Sequence, residues 1–438
     1  MRVKMNYGRN GLVLELPDSW NTLVIEKSEM PVAGDPHGAV LEALANPVGS
    51  RALYQEATGL RTACVLICDI TRPVPNSTIL PPIIKELLRA GIKPENVTVL
   101  VATGLHRPNE GEELRELVGD DWVIETVKVV NHFARNDGDH VDLGKTSCGT
   151  PIKLDRGFVE ADLKIVTGLV EPHFMAGYSG GRKVIAPGIA HKDTITTFHN
   201  AAFMEHPRAA NCILEGNPLH MEQLEVVHRL GMVLAVNVVI DDRRNLSFVN
   251  FGEIETSHLE AVAYMRRYAE ICTDRRVKTI ITSGGGYPLD KTYYQTVKSM
   301  VGAMGLLENS GDIIVFSECS EGMGSLDYVQ AQKQLVKHGV DGFLELIKPK
   351  SRAAIDEWQT EMQLKPMRIG NIHLFSGLST DDRPLTGVNC AEDGKSPLEF
   401  ISGIIEKNGD GSVAVIPEGP YVIPCSGVPV AQSSESAP

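Results

Sequence analysis

Apolar runs of strand length alternate with helical patterns along most of the chain, and this alternation restricts the fold more than any other feature. A buried-strand run at 63–68 precedes a helical pattern at 77–90, a second strand run at 97–102 and a second helical pattern at 109–118. Strand, helix and strand in this order build a parallel sheet, because the helix is the crossover that carries the chain back to the edge it left. Further strands are expected at 12–16, 22–26, 163–167 and 232–240, with a long helix at 256–271. A second alternating unit starts near Arg276, with strands at 277–282, 312–316, 371–375 and 412–416 and helices at about 290–308 and from Leu326. The expected fold class is α/β, two domains with mainly parallel sheets flanked by helices. The polar cluster Thr273-Asp274-Arg275-Arg276 marks the boundary, which gives domains at 1–274 and 275–430 and a flexible tail at 431–438.

A chain of 438 residues has enough length for two full cores. Its net charge of −14, with no basic cluster beyond an Arg-Arg pair, argues against nucleic acid or an anionic membrane as partner. A small anionic substrate needs only a few local cations and stays open. The N-terminus lacks an apolar signal core and no run approaches the ~18 apolar residues of a membrane span, so a cytoplasmic protein is expected. Eight cysteines occur without a C-x-x-C pair, which suggests neither a zinc knuckle nor a disulfide framework but reduced, mostly buried thiols.

In open parallel sheets, ligands sit beyond the carboxyl ends of the strands, so the residues just after each strand carry the functional candidates. After the first strand comes Asp69-Ile70-Thr71-Arg72-Pro73, an acid and a guanidinium in a stiff turn: either an ion pair that fixes the turn or a carboxylate site. After the second comes Thr103-Gly104-Leu105-His106-Arg107, where His106 is either a satisfied loop histidine or a proton carrier near neutral pH. After the third lies a run from Glu171 to His199 that contains His173, the loop Gly177-Tyr178-Ser179-Gly180-Gly181-Arg182-Lys183, His191 and His199. The loop offers backbone donors to an anion, with Ser179 and Arg182 as added contacts, although the Walker spacing is missing. Lys183 is either a solvated lysine or an amine for covalent attachment. His199 falls near the end of a helix expected at 189–201, and no multi-ligand metal pattern accompanies it. In the second unit, Tyr294 and Lys298 share a helix face with Gln295 beside them, a solvated face or a substrate contact. The other histidines read as structural.

These pieces together resemble the nickel-dependent lactate racemase family, which acts on lactate and other 2-hydroxy acids. The resemblance rests on the Asp69 to Pro73 and Thr103 to Arg107 segments, Glu171 to Lys183, His199, and Tyr294 to Lys298, in the family's order. It implies an isomerase, a racemase or epimerase working in the cleft between the domains. It also implies a nickel pincer nucleotide (pyridinium-3-thioamide-5-thiocarboxylic acid mononucleotide with nickel), made by dedicated cofactor-biosynthesis enzymes. Lys183 then corresponds to the covalent attachment point and His199 to the protein's nickel ligand, the cofactor bringing the remaining donors. His106 and His173 correspond to the acid/base pair, and Arg72 with Lys298 to the carboxylate clamp. Tyr294 and Gln295 correspond to substrate contacts, and Asp69, Ser179, Gly180 and Gly181 to cofactor contacts. The implied chemistry is oxidation and reduction at C2 by hydride transfer, since that C–H is too weakly acidic for direct removal. A nicotinamide-dependent dehydrogenase is the alternative, disfavoured because no G-x-G-x-x-G follows a first strand. A non-catalytic carboxylate-binding protein is the other, and it would leave Lys183 and His199 without a role.

Overall fold

The computed structural model describes residues 1–409 and 412–427. The chain forms two compact units, one of residues 29–266 and one that joins residues 1–28 to the chain from Arg267 onward. Both are α/β with mainly parallel sheets flanked by helices, as the alternation of patterns requires.

In the 29–266 unit the strand Ala63–Cys68 lies at the centre of a sheet. Val97–Ala102 and then Lys128–Asn131 pair on one side of it, Leu163–Leu169 and then Leu234–Ile240 on the other, all in parallel. Leu246–Glu253 closes one edge antiparallel to Leu234–Ile240, a strand that the sequence pattern does not reveal. Ala63–Cys68 is apolar along its whole length because helices cover both faces of such a sheet and each side chain is buried whichever way it points. The helix Asn76–Arg89 buries Ile79, Leu80, Ile83, Ile84 and Leu87, spaced three and four residues apart, against Val65, Ile67, Val99 and Val101. Each of these fully buried aliphatic side chains is worth roughly 1.5–3 kcal/mol of transfer free energy. Next, Gly111–Val118 ends at Gly119, whose left-handed backbone (φ 67°) stops the helix.

One expected helix is shorter than its pattern. In place of 189–201 the structure has Lys192–Phe198, capped by the His191 side chain, and a separate turn Ala201–Met204 capped by Asn200. His199 is the residue on which the first of these ends. The expected 256–271 helix runs over Ile254–Ala269 and passes directly into the strand Glu270–Thr273.

In the other unit, Val277–Ser283 pairs in parallel with Leu307–Phe316 and with Ser412–Ile416. Asn371–Phe375 and Asn389–Cys390 extend the sheet on one side. On the opposite edge Asn21–Val24 pairs with Ser412–Val415. The chain therefore does not divide at 1–274 and 275–430 as its polar cluster suggests. Residues 1–28 belong with the C-terminal stretch because this strand completes its sheet and because Val3, Met5, Leu14 and Leu16 pack with Phe400, Ile401 and Ile404. The expected helix at 290–308 is a short 3-10 turn, then Tyr293–Ala303, then a second 3-10 turn. Cys272 and Cys425 form a disulfide between the paired strands Glu270–Thr273 and Ile423–Ser426, which corrects the expectation of reduced thiols only. The two cysteines are 153 residues apart, a separation that no spacing rule flags. The tail expected at 431–438 lies outside the described residues. Among the described residues no helix is long and apolar enough to cross a membrane.

Candidate active site

Three neighbouring parallel strands, Val97–Ala102, Ala63–Cys68 and Leu163–Leu169, end side by side, and the expected site residues of this unit follow their carboxyl ends. Asp69 is the first residue after Ala63–Cys68. Its Oδ2 accepts a 2.6 Å hydrogen bond from Nδ1 of His106, and its Oδ1 accepts one of 2.6 Å from the Thr71 hydroxyl and a longer one from the Thr71 N–H. Burial alone would raise the Asp69 carboxyl. The hydrogen bond and charge of His106, the Thr71 hydroxyl and the Arg72 charge outweigh it and hold the carboxyl below its ordinary range, so Asp69 is a carboxylate. Asp69 is buried while the His106 side chain is about half exposed, so the imidazole faces outward from a fixed anchor.

Arg72 forms an ion pair with Glu171, the second residue after Leu163–Leu169. Both side chains are mostly buried, so the pair is desolvated and geometrically exacting. Glu171 follows the end of its strand as Asp69 does, and that position is its signal in the sequence. Thr71 has its own signal, a hydroxyl two residues after an aspartate in a turn.

His173 ends the first strand of a short hairpin, Pro172–His173 against Gly177–Tyr178. Its Nδ1 accepts from the backbone N–H groups of Met175 and Ala176, at 3.3 and 3.2 Å. In the following loop the Ser179 hydroxyl donates to Leu169 O at 2.7 Å and accepts from the Glu171 N–H at 3.0 Å. Gly180 has φ 77°, and a Cβ there would sit 2.7 Å from a methyl of Val170. At Gly181 a Cβ would meet the His258 ring at 2.9 Å. These contacts account for Ser179, Gly180 and Gly181 by packing, and their role toward a cofactor rests on the resemblance. Arg182, read as an added anion contact, is instead fully buried: it donates to Ala176 O at 2.9 Å and meets Nε2 of His258 at 3.1 Å. It buttresses the loop from beneath.

Burial first, and then the charges of Arg72 and Arg182, push the Lys183 amine down to about 7, with Cys68 and Asp69 opposing. These neighbours place Lys183 beside the Asp69 and Arg72 turn. Burial also pushes the Cys68 thiol up to about 11, so it stays a thiol. Nδ1 of His199 donates to Ile195 O at 2.9 Å, which leaves the ring's lone pair on Nε2. Burial lowers its proton affinity to about 4, with the Lys183 charge contributing, so His199 is neutral at pH 7 and near Lys183. A neutral imidazole whose Nδ1–H is tied to a backbone carbonyl is the form that ligates metals through Nε2. Among the described residues there is no group of three or more His, Cys, Asp or Glu able to hold a metal ion by itself.

Tyr294, Gln295 and Lys298 lie in the other unit on the helix Tyr293–Ala303. The Tyr294 ring meets Tyr328 edge to face at 5.1 Å. Burial and the nearby Asp356 raise its phenol well above the ordinary value, so it stays protonated. Oε1 of Gln295 is buried without a hydrogen-bond partner.

A family model described as the lactate racemase N-terminal domain matches residues 7–211, and the lactate racemase C-terminal domain model matches residues 273–423. The chain is 30% identical over 429 residues to a lactate racemase of Thermoanaerobacterium thermosaccharolyticum, covering 96% of this chain and 98% of that protein. It is also 30% identical over 392 residues to a lactate racemase of Lactiplantibacillus plantarum, covering 88% and 90%. The structure of the lactate racemase apoprotein from T. thermosaccharolyticum superposes with a TM-score of 0.89 at 28% identity, covering 97% of this chain and all of that one. A Thermotoga maritima protein at 18% identity has a TM-score of 0.68 over 90% of this chain, a likeness of fold alone.

Proposed function

From the premise that this chain belongs to the lactate racemase family and is an isomerase of the racemase type, we propose that it inverts C2 of a 2-hydroxy acid, lactate or a close relative, using a tethered nickel pincer nucleotide. The observation that carries this reading is an amine, Lys183, whose proton affinity burial lowers to about 7, together with a neutral imidazole, His199, on which that amine's charge acts, and the Asp69–His106 and Arg72–Glu171 pairs. Burial gives Lys183 the free base that covalent attachment needs and gives His199 the Nε2 lone pair that a metal needs. Lys183 would hold the group covalently and His199 would ligate its nickel, which suits a site with a single protein ligand. When bound, that group supplies reversible hydride transfer at C2.

The chain's own residues do the rest. Arg72 holds the substrate carboxylate, a bidentate and charge-assisted interaction that fixes one end of the molecule, and the resemblance assigns Lys298 to the same carboxylate. His106 and His173 exchange the proton of the 2-hydroxyl, which must leave as C2 is oxidised and return as it is reduced. Tyr294 and Gln295 supply polar contacts to the bound acid, the phenol as a donor that stays protonated. The cofactor-biosynthesis enzymes are required partners for activity.

The test is expression with and without those enzymes, followed by peptide mass analysis, nickel measurement and a chiral assay over lactate and related hydroxy acids. The expected result is added mass on the Lys183 peptide, bound nickel and inversion only after coexpression. Absence of both the mass and the nickel would sink the reading.

A further inference from the structure

The two histidines assigned to proton exchange are held by their own chain in opposite proton arrangements. Nδ1 of His106 faces Oδ2 of Asp69 at 2.6 Å, and Oδ1 of the same carboxylate is fixed by the Thr71 hydroxyl, also at 2.6 Å. A carboxylate only accepts, so Nδ1 of His106 carries a proton, and in the neutral ring Nε2 then carries the lone pair. His173 is the reverse. Its Nδ1 accepts from two backbone amides, Met175 and Ala176, which only donate, so the proton of the neutral ring sits on Nε2. His173 cannot take a proton on Nδ1 without giving up both bonds. These contacts are built from the Asp69 turn on one side and the Pro172–Tyr178 hairpin on the other, so neither depends on a ligand.

We propose that Asp69 is the positioning residue of His106, holding it as the base that receives the hydroxyl proton, while the hairpin amides hold His173 as a hydrogen-bond donor through Nε2. This deepens the reading of His106 and His173 as the proton-exchanging pair, and rests on it. It also gives Asp69 a role other than cofactor contact. The proton balance is simple: the hydroxyl O–H bond breaks, an N–H bond forms at Nε2 of His106, and the resulting imidazolium is stabilised by the Asp69 carboxylate until the proton returns. For His173 to serve as base toward the opposite configuration, its ring must first turn over and exchange the two nitrogens.

The test uses the full chain with nitrogen-15 in its histidines. Ring nitrogen shifts of the cofactor-free protein, assigned with His106→Gln and His173→Gln, are expected to show a bare Nε2 in His106 and a bare Nδ1 in His173. Asp69→Asn presents an amide in place of the acceptor and is expected to move the His106 proton to Nε2. In the coexpressed enzyme the same variant should lower kcat by about 100-fold or more, the scale of a lost general base, with KM changed by less than about threefold. Its nickel content should match that of the unaltered enzyme. Loss of nickel in Asp69→Asn would make Asp69 a cofactor contact and overturn the proposal, as would an unmoved His106 proton. Should Asp69→Asn fail to fold, the unaltered protein decides alone: a proton on Nε2 of His106 overturns the proposal. The nitrogen shifts are read without cofactor, so they stand even where the nickel reading falls.

Discussion

Single residues of this site are tuned by what surrounds them. Lys183 titrates near 7 because burial and two guanidiniums penalise its charged form. A group whose proton affinity is lowered is reactive above that value and protected below it. Reductive methylation of the cofactor-free protein, read by peptide mass, should therefore be half-maximal at Lys183 near pH 7, whereas ordinary lysines respond about three pH units higher. A Lys183 profile indistinguishable from those of surface lysines would refute this. His199→Ala should abolish nickel retention in the coexpressed enzyme, and in the cofactor-free protein it should lower the thermal unfolding midpoint, since it removes the hydrogen bond to Ile195 O and the ring packed against Phe198. At Arg72 the structure shows the guanidinium already engaged by Glu171, and a substrate carboxylate has to share or displace that partner. Glu171→Gln removes the competing charge, and KM for the hydroxy acid should fall by roughly threefold or more, measured in initial-rate assays. A raised KM would show that Glu171 aims Arg72 instead of restraining it.

The elements explain which parts of the site are legible in the sequence. The strands Ala63–Cys68, Val97–Ala102 and Leu163–Leu169 read clearly because both faces are mostly buried and their runs are mainly apolar, with only Thr98, Lys164 and Thr167 as polar interruptions, so the residues after them, Asp69 and His106 among them, stand out. Partners were harder to see than positions. The ion pair Arg72–Glu171 and the hydrogen bond Asp69–His106 join residues 99 and 37 apart, and a sequence shows such pairs only once strand order is known. Gly180 and Gly181 looked like an anion cradle because a glycine's reason is invisible without its neighbours. Here the neighbours are Val170 and His258. Gly180→Ala combines a left-handed backbone with a close methyl contact and should cost about 1–3 kcal/mol in denaturant unfolding. Gly138→Ala, where an added Cβ meets nothing within 4 Å, is the control and should fall within about 0.5 kcal/mol.

At the scale of the whole molecule, the division of the chain is the feature that sequence patterning misplaced. A polar cluster at 273–276 looks like a boundary, but Asn21–Val24 belongs to the sheet that Ser412–Ile416 completes, and pairing between distant strands has no local signature. Deleting residues 1–28 should therefore loosen the 267–427 part and spare the 29–266 unit. Hydrogen exchange resolved by peptide should show lost protection at Ser412–Ile416 and unchanged protection at Ala63–Cys68. During synthesis this arrangement imposes an order in time. The 29–266 unit has all of its sheet strands in hand once Glu253 has emerged, whereas Asn21–Val24, made before that unit, finds its partner only when Ser412–Val415 has been made. At roughly 5–20 residues per second the leading segment waits some tens of seconds on the ribosome with its hydrogen-bonding edge unpaired. A strand left without its partner through that interval makes the nascent chain, more than the finished enzyme, the form in which this protein is most open to chaperones and to aggregation.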